Sequence, residues 1–176
     1  MTIYLSRARS VPMLKSGVGR WLAIALLVLI LDQASKHTIE ALFQFGEQLT
    51  IIPGFFNLTL AYNPGAAFSF LADAGGWQRY FFTALALGVS VFIVFLLKKH
   101  HAETRYALAM SLILGGALGN AIDRMLLGHV IDFIQIHYQQ RWYYPAFNIA
   151  DSGICVGAVL MVIDSFRRET PSEKTV

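Results

Sequence analysis

The chain has 176 residues, of which 56% are hydrophobic and only 14% charged, with a mean hydropathy of +0.53. Soluble proteins carry roughly 25% charged residues, so this chain has too few charges to cover a water-facing surface, and lipid is the expected solvent for much of it. The net charge of +3 is gathered at the flanks of apolar runs rather than along one stripe, which favours membrane orientation over nucleic acid as the use of the basic residues.

Four segments have the length and hydropathy of membrane spans, about 17–21 residues each for a hydrocarbon core of about 30 Å. The first runs from Trp21 to about Ile39 and turns polar at Asp32, Gln33 and Lys36. A basic stretch before it (Arg7, Arg9, Lys15, Arg20) also suits a signal peptide. No small-residue cleavage site follows, however, and three further spans do, so it is expected to stay as a span. Between the first and second spans, Leu49 to Tyr62 is rich in β-branched and aromatic residues and is broken at Pro53-Gly54, the pattern of two short strands. The second span, Trp77 to Leu97, has one charge, Arg79. The third, Tyr106 to Ile122, contains Gly115, Gly116 and Gly119, which suit close helix packing. His129–His137 and Arg141–Tyr144 read as two more strands joined near 138–140. The fourth span runs from Ile149 to Phe166 with Cys155 inside it, the only cysteine, expected to be a buried small residue. The tails 1–19 and 169–176 are expected to be mobile, and the whole chain to form one integral-membrane domain.

Lys and Arg are distributed unevenly around these spans. Arg7, Arg9, Lys15, Arg20, Lys98, Lys99, Arg105, Arg167, Arg168 and Lys174 fall on one side, and only Lys36, Arg79, Arg124 and Arg141 on the other. The positive-inside rule then predicts cytoplasmic termini, with segments 40–76 and 124–148 outside. The predicted fold class is an all-α membrane bundle of four transmembrane helices with a small β-sheet on its outer face.

Ionisable groups within or at the edge of a span are costly and point to function. Asp32 and Lys36, four apart on one helix face, are placed to form an ion pair. Asn120, Asp123 and Arg124 make a polar face at the outer end of the third span. Asn148-Ile-Ala-Asp151 has the form of a helix start, with Asn148 as N-cap. Asp151 therefore has two readings, a helix-capping carboxylate or a reactive one. Asp132 has two as well, a solvent-facing strand residue or a reactive group set between Ile131 and Phe133. Two carboxylates close together can share one proton, leaving one as general base and the other as general acid. Spacing alone does not bring Asp132 and Asp151 together.

Competing chemistries are weaker. His129 and His137 would stand about 26 Å apart on a strand and have no third ligand, so neither a metal nor another cofactor is expected. Ser111 and Ser152 lack a nucleophile-elbow context. A transporter would place its carboxylates near mid-span and often carry internal repeats; here the carboxylates cluster at one level and no repeat is visible. A scaffold gives no reason for Asp132 and Asp151. Tyr62-Asn-Pro-Gly-Ala-Ala-Phe68 reads as a turn or as a polar loop reaching the site. Gly46 and Gly75-Gly76 bracket a candidate lid from Glu47 to Ala74.

Five motifs in order carry a resemblance: Asp32-Gln-x-x-Lys36, Tyr62-Asn-Pro-Gly-Ala-Ala-Phe68, Gly119-Asn-x-x-Asp-Arg124, Gly128-x-Val-x-Asp-Phe133 and Phe147-Asn-x-Ala-Asp-Ser152. Through them nearly the whole chain resembles the bacterial lipoprotein signal peptidases, or signal peptidase II. The resemblance implies an intramembrane aspartyl peptidase of the bacterial cytoplasmic (inner) membrane that removes signal peptides from prolipoproteins, cutting before a diacylglyceryl-modified cysteine. It implies Asp132 and Asp151 as the catalytic pair, with Asp32, Asn63, Asn120, Arg124 and Asn148 in support. Lys36 belongs to the first of these motifs and is grouped with the supporting residues. The expected partners are the lipid-modified prolipoprotein, membrane lipid and globomycin-type inhibitors, with no nucleic acid, and the expected state is a monomer.

Overall fold

The structure, a computed structural model, describes residues 17–65 and 75–168. Four helices follow the four apolar segments: α1 (Val18–Leu42), α2 (Trp77–His100), α3 (Thr104–Leu126) and α4 (Ile149–Arg168). Each is long and apolar enough to cross a membrane. They overrun the predicted spans by a few residues, because a helix continues past the hydrocarbon core wherever its backbone stays hydrogen-bonded. Of the tail expected to be mobile, Gly17 is the N-cap position of α1, and Val18 and Gly19 already belong to the helix; the remainder of both tails lies outside the described residues.

The bundle is built around α3. Two thirds of its apolar window (67%) is buried inside the protein, against 17%, 17% and 11% for α1, α2 and α4. The reason lies in its small residues. A Cβ added at Gly116 would run into the Ala150 carbonyl of α4, and one at Gly119 into the Asp32 carboxylate of α1. Leu, Val and Phe side chains on the other three helices point outward in large numbers, as expected where lipid is the solvent. Cys155 shares that outward face of α4 and is exposed rather than buried, because inside a bilayer an apolar run need not be a protein core.

The strands form one antiparallel sheet in the order β1 (Gln48–Ile52), β2 (Phe56–Asn63), β3 (Val130–Tyr138) and β4 (Trp142–Tyr143). The β1–β2 turn falls at Pro53-Gly54, with Gly54 at φ +78°, a conformation that glycine adopts without strain. Residues 47–63, expected as the first half of a lid, are instead held in this sheet by ladder hydrogen bonds. The segment 66–74, which completes that lid and the Asn-Pro-Gly motif, lies outside the described residues. The pairing of β2 with β3 slips between Leu58 and Ala61, so that Thr59 and Leu60 stand opposite Phe133 alone. A bulge of this kind bends a strand and re-aims its side chains, and here it lies next to Asp132. Leu60, Ile131 and Phe133 bury one side of the sheet against Ile39 of α1.

Candidate active site

A single backbone bridge brings the two halves of the site together. Ile134 of β3 pairs antiparallel with Phe147, just ahead of α4, through Phe147 N–H to the Ile134 carbonyl at 3.0 Å and Ile134 N–H to the Phe147 carbonyl at 2.8 Å. This fixes the start of α4 beside β3, and so Asn148 and Asp151 beside Asp132.

Asn148 is the bridge at side-chain level. Its Oδ1 accepts the Asp151 N–H at 2.8 Å, the N-cap bond expected from the sequence. Its Nδ2 donates to Asp132 Oδ1 at 2.7 Å and to the Ile131 carbonyl at 3.1 Å. One fully buried amide thus caps α4 and holds Asp132. Asn63 completes the hold: its Nδ2 donates to Asp132 Oδ2 at 3.2 Å, while its Oδ1 accepts Gly65 N–H at 3.0 Å. That turn engages the amide oxygen and leaves the NH2 for the carboxylate. Asp151 accepts Asn120 Nδ2 at 2.7 Å. Asp132 is 3% exposed and Asp151 half-buried. Burial, and after it the charge of Asp151, pushes the Asp132 carboxyl up to about 7, against the opposing pull of Asn63, Lys36 and Asn148.

A second carboxylate pair lies beside the first and is held differently. Lys36 Nζ meets Asp32 Oδ2 and Asp123 Oδ2, each at 2.8 Å, and donates its third hydrogen to Asn120 Oδ1 at 3.0 Å. Asp32 Oδ1 accepts Ala150 N–H at 2.9 Å, satisfying an otherwise orphaned amide of the first turn of α4. Asp123 Oδ2 accepts Ile131 N–H at 3.3 Å, and its Oδ1 accepts Gln33 Nε2 at 2.8 Å. Asn120 joins the two pairs. With its oxygen on Lys36, its NH2 is left to face Asp151.

Arg124 is not paired with its neighbour Asp123. Asp123 is occupied by Lys36 and Gln33, and Arg124 Nη2 instead donates to the Gly65 carbonyl at 2.7 Å, with Nη1 on the Asn120 carbonyl at 3.2 Å. It therefore braces the loop that carries Asn63. Its guanidinium carbon lies 5.5 Å from the centre of the Phe82 ring, and its Nε has no partner among the described residues. His129 rests on the Tyr62 ring, centroids 4.2 Å apart. His137, at the other end of β3, is engaged by Asn57 and the Gln140 N–H. Ser111 donates to the Ala107 carbonyl of its own helix and Ser152 to the carbonyl of the cap residue Asn148. Among the described residues no three His, Cys, Asp or Glu side chains are grouped to hold a metal.

All eight site residues singled out from sequence thus meet in one connected network. Gln33, Asp123 and the Gly65 carbonyl belong to it too. The first two are intramembrane polar groups whose cost was a signal in itself; a backbone carbonyl leaves none.

The family model described as "Signal peptidase (SPase) II" matches residues 24–167. The lipoprotein signal peptidase of Chromobacterium violaceum is 57% identical over 152 residues, covering 86% of this chain and 94% of that protein. That of Pseudomonas fluorescens is 52% identical over 164 residues, covering 90% and 96%. Among solved structures, one described as a bacterial membrane enzyme determined by the in meso method at 2.3 Å resolution superposes with a TM-score of 0.79 at 34% identity, covering 90% of this chain and 94% of that one.

Proposed function

The chain belongs to the signal peptidase II family, and on that premise we propose that it is an intramembrane aspartyl endopeptidase that removes the signal peptide from diacylglyceryl-modified prolipoproteins. The observation that carries the reading is the amide-only cradle around Asp132 and Asp151, with Asn148 bonded to both. Two neighbouring carboxylates without a directly bonded cation are stable together when they share a proton, which is the working state of an aspartyl dyad. The titration of such a pair belongs to both members. Asp132, pushed up to about 7, is assigned as the carrier of the proton.

The reaction follows from that assignment. A water held between the carboxyl groups gives a proton to Asp151 as its oxygen attacks the carbonyl carbon before the lipid-modified cysteine. Asp132 gives its proton to the carbonyl oxygen. On collapse, the C–N bond breaks, the cysteine nitrogen takes a proton from Asp151, and the carbonyl oxygen returns its proton to Asp132. Neither a metal nor a nucleophilic serine takes part. Asn63, Asn120 and Asn148 orient the carboxyls, Asp32 and Lys36 anchor the start of α4, and Arg124 steadies the Gly65 loop.

The protein acts as one integral-membrane domain, a monomer, in the bacterial inner membrane. Both termini are cytoplasmic and the site is at the outer face, as the Lys and Arg distribution predicts. The sheet, with Leu49, Ile51 and Phe55 exposed, suits that interface. Globomycin-type inhibitors occupy the dyad region. The test is incubation of purified protein with a prolipoprotein bearing the diacylglyceryl cysteine and with its unmodified form. Cleavage of the first alone is expected; no cleavage, or equal cleavage of both, would overturn the reading.

A further inference from the structure

α1 and α2 both pack along α3 and only slightly on each other, which leaves a groove of about 760 Å³ between them. Its walls are Leu26 and Leu29 of α1 and Val91 and Phe95 of α2, and its floor is Leu114 and Leu118 of α3. Ser90 is the one polar uncharged residue in the lining, and its hydroxyl already donates to the Ala86 carbonyl at 2.7 Å. Away from the Lys98 end nothing in the groove therefore seeks a hydrogen bond, and an occupant's body must be apolar.

The groove is polar at one end only. Lys98 is its single charged lining residue. Arg20 lies at the same end, stacked on Trp21 at 4.4 Å and reaching the His101 carbonyl, about one turn beyond Lys98. Among the described residues neither cation forms an ion pair, and Glu103, the carboxylate nearest in sequence at that end, is held by His100 at 2.6 Å. A long apolar slot with unpaired cations at one mouth complements an acyl chain joined to an anionic headgroup. Basic pockets between membrane helices bind anionic lipid headgroups by this chemistry. A substrate signal helix fits less well, because its basic n-region would set like charges against Lys98 and Arg20.

We propose that the α1–α2 groove is a binding site for an anionic phospholipid of the surrounding bilayer, with one acyl chain along Leu26, Val91 and Leu118 and the phosphate at Lys98 and Arg20. The proposal is independent of the peptidase assignment and is read without activity.

The chain has three tryptophans. Trp77→Phe with Trp142→Phe leaves Trp21, at the charged end of the groove, as the sole reporter. The full chain is reconstituted in phosphatidylcholine vesicles, and part of the lipid is exchanged for phosphatidylglycerol or phosphatidylcholine with brominated acyl chains. Half-quenching of Trp21 is expected at a mole fraction about thirtyfold lower for the anionic lipid, the factor given by about 1 kcal/mol for each of the two cations. Lys98→Gln should cut that preference about fivefold and Ser90→Leu should abolish it, whereas Lys99→Gln, a neighbour outside the lining, should leave it intact. Equal quenching by the two lipids would overturn the proposal. So would an equal loss in Lys99→Gln, which would make the effect one of surface charge alone. Recovery of fluorescence on adding an uncleavable signal peptide would assign the groove to substrate, and a signal that follows protein density rather than headgroup would assign it to a second copy.

Discussion

Two pairs of aspartates lie side by side at one end of the bundle, and they are built to opposite rules. Asp32 and Asp123 share a lysine, and every donor of that lysine is used. Asp132 and Asp151 are held by asparagines instead: Asn148 and Asn63 donate to the Asp132 carboxylate, Asn120 donates to that of Asp151, and the Asn148 oxygen accepts the Asp151 backbone N–H. The first pair is tied to a shared cation and braces α1, α3 and the start of α4. The second is oriented by hydrogen bonds without a directly bonded cation, so its protonation stays open to change. Residue type is the same in both. The partner is what separates them, and under the proposed function the amide-held pair is the reactive one.

The largest way to break this contrast is to remove the shared cation. Lys36→Met leaves two buried carboxylates uncompensated, and breaking a buried ion pair costs about 3–5 kcal/mol. The variant should unfold at markedly lower denaturant in detergent. A variant as stable as the parent would mean that the first pair braces nothing.

The next effect is in pH. A carboxyl pushed up to about 7 from an ordinary value of 3.8 keeps its proton in the folded chain after the unfolded chain has lost it. Its contribution therefore turns unfavourable as pH rises from about 4 to 7 and levels off above, an effect of up to about 4 kcal/mol at 1.36 kcal/mol per unit. Denaturation followed across that range should show this slope in the parent and lose it in Asp132→Asn. Cleavage should also fall as pH rises through about 7, when the shared proton leaves.

The smallest effect sharpens the boundary between the pairs. Gln33 bonds to Asp123 and the Gly119 carbonyl but to neither Asp132 nor Asp151. Gln33→Ala should cost about 1 kcal/mol of stability and leave cleavage unchanged. A large loss of cleavage without a loss of stability would show that the scaffold pair takes part in the chemistry.

Local features of this arrangement were legible in the sequence. Hydropathy gave the four helices, the turn pair at Pro53-Gly54 gave the β1–β2 hairpin, four-residue spacing gave the Asp32–Lys36 pair, and the Asn-x-x-Asp pattern gave the cap of α4. Each depends on contacts within one turn or one hairpin. The meeting of Asp132 with Asp151 depends on the Ile134–Phe147 bridge, a backbone pairing with no side-chain signature, so spacing left it undetermined and ordered motifs had to supply it. The same holds for the second carboxylate on Lys36 and for the Gly65 carbonyl on Arg124. Cys155 was misread because an apolar run in a bilayer need not be a protein core.

The most direct test of the account replaces one charge-bearing oxygen at a time. Asp132→Asn and Asp151→Asn keep the side-chain shape and much of the amide network but remove the shared proton. With purified protein and a diacylglyceryl-modified prolipoprotein, the account predicts that each variant retains the parent's fold and loses cleavage by at least about a thousandfold, the scale of acid–base catalysis by positioned groups. Cleavage near the parental rate in either folded variant would contradict it.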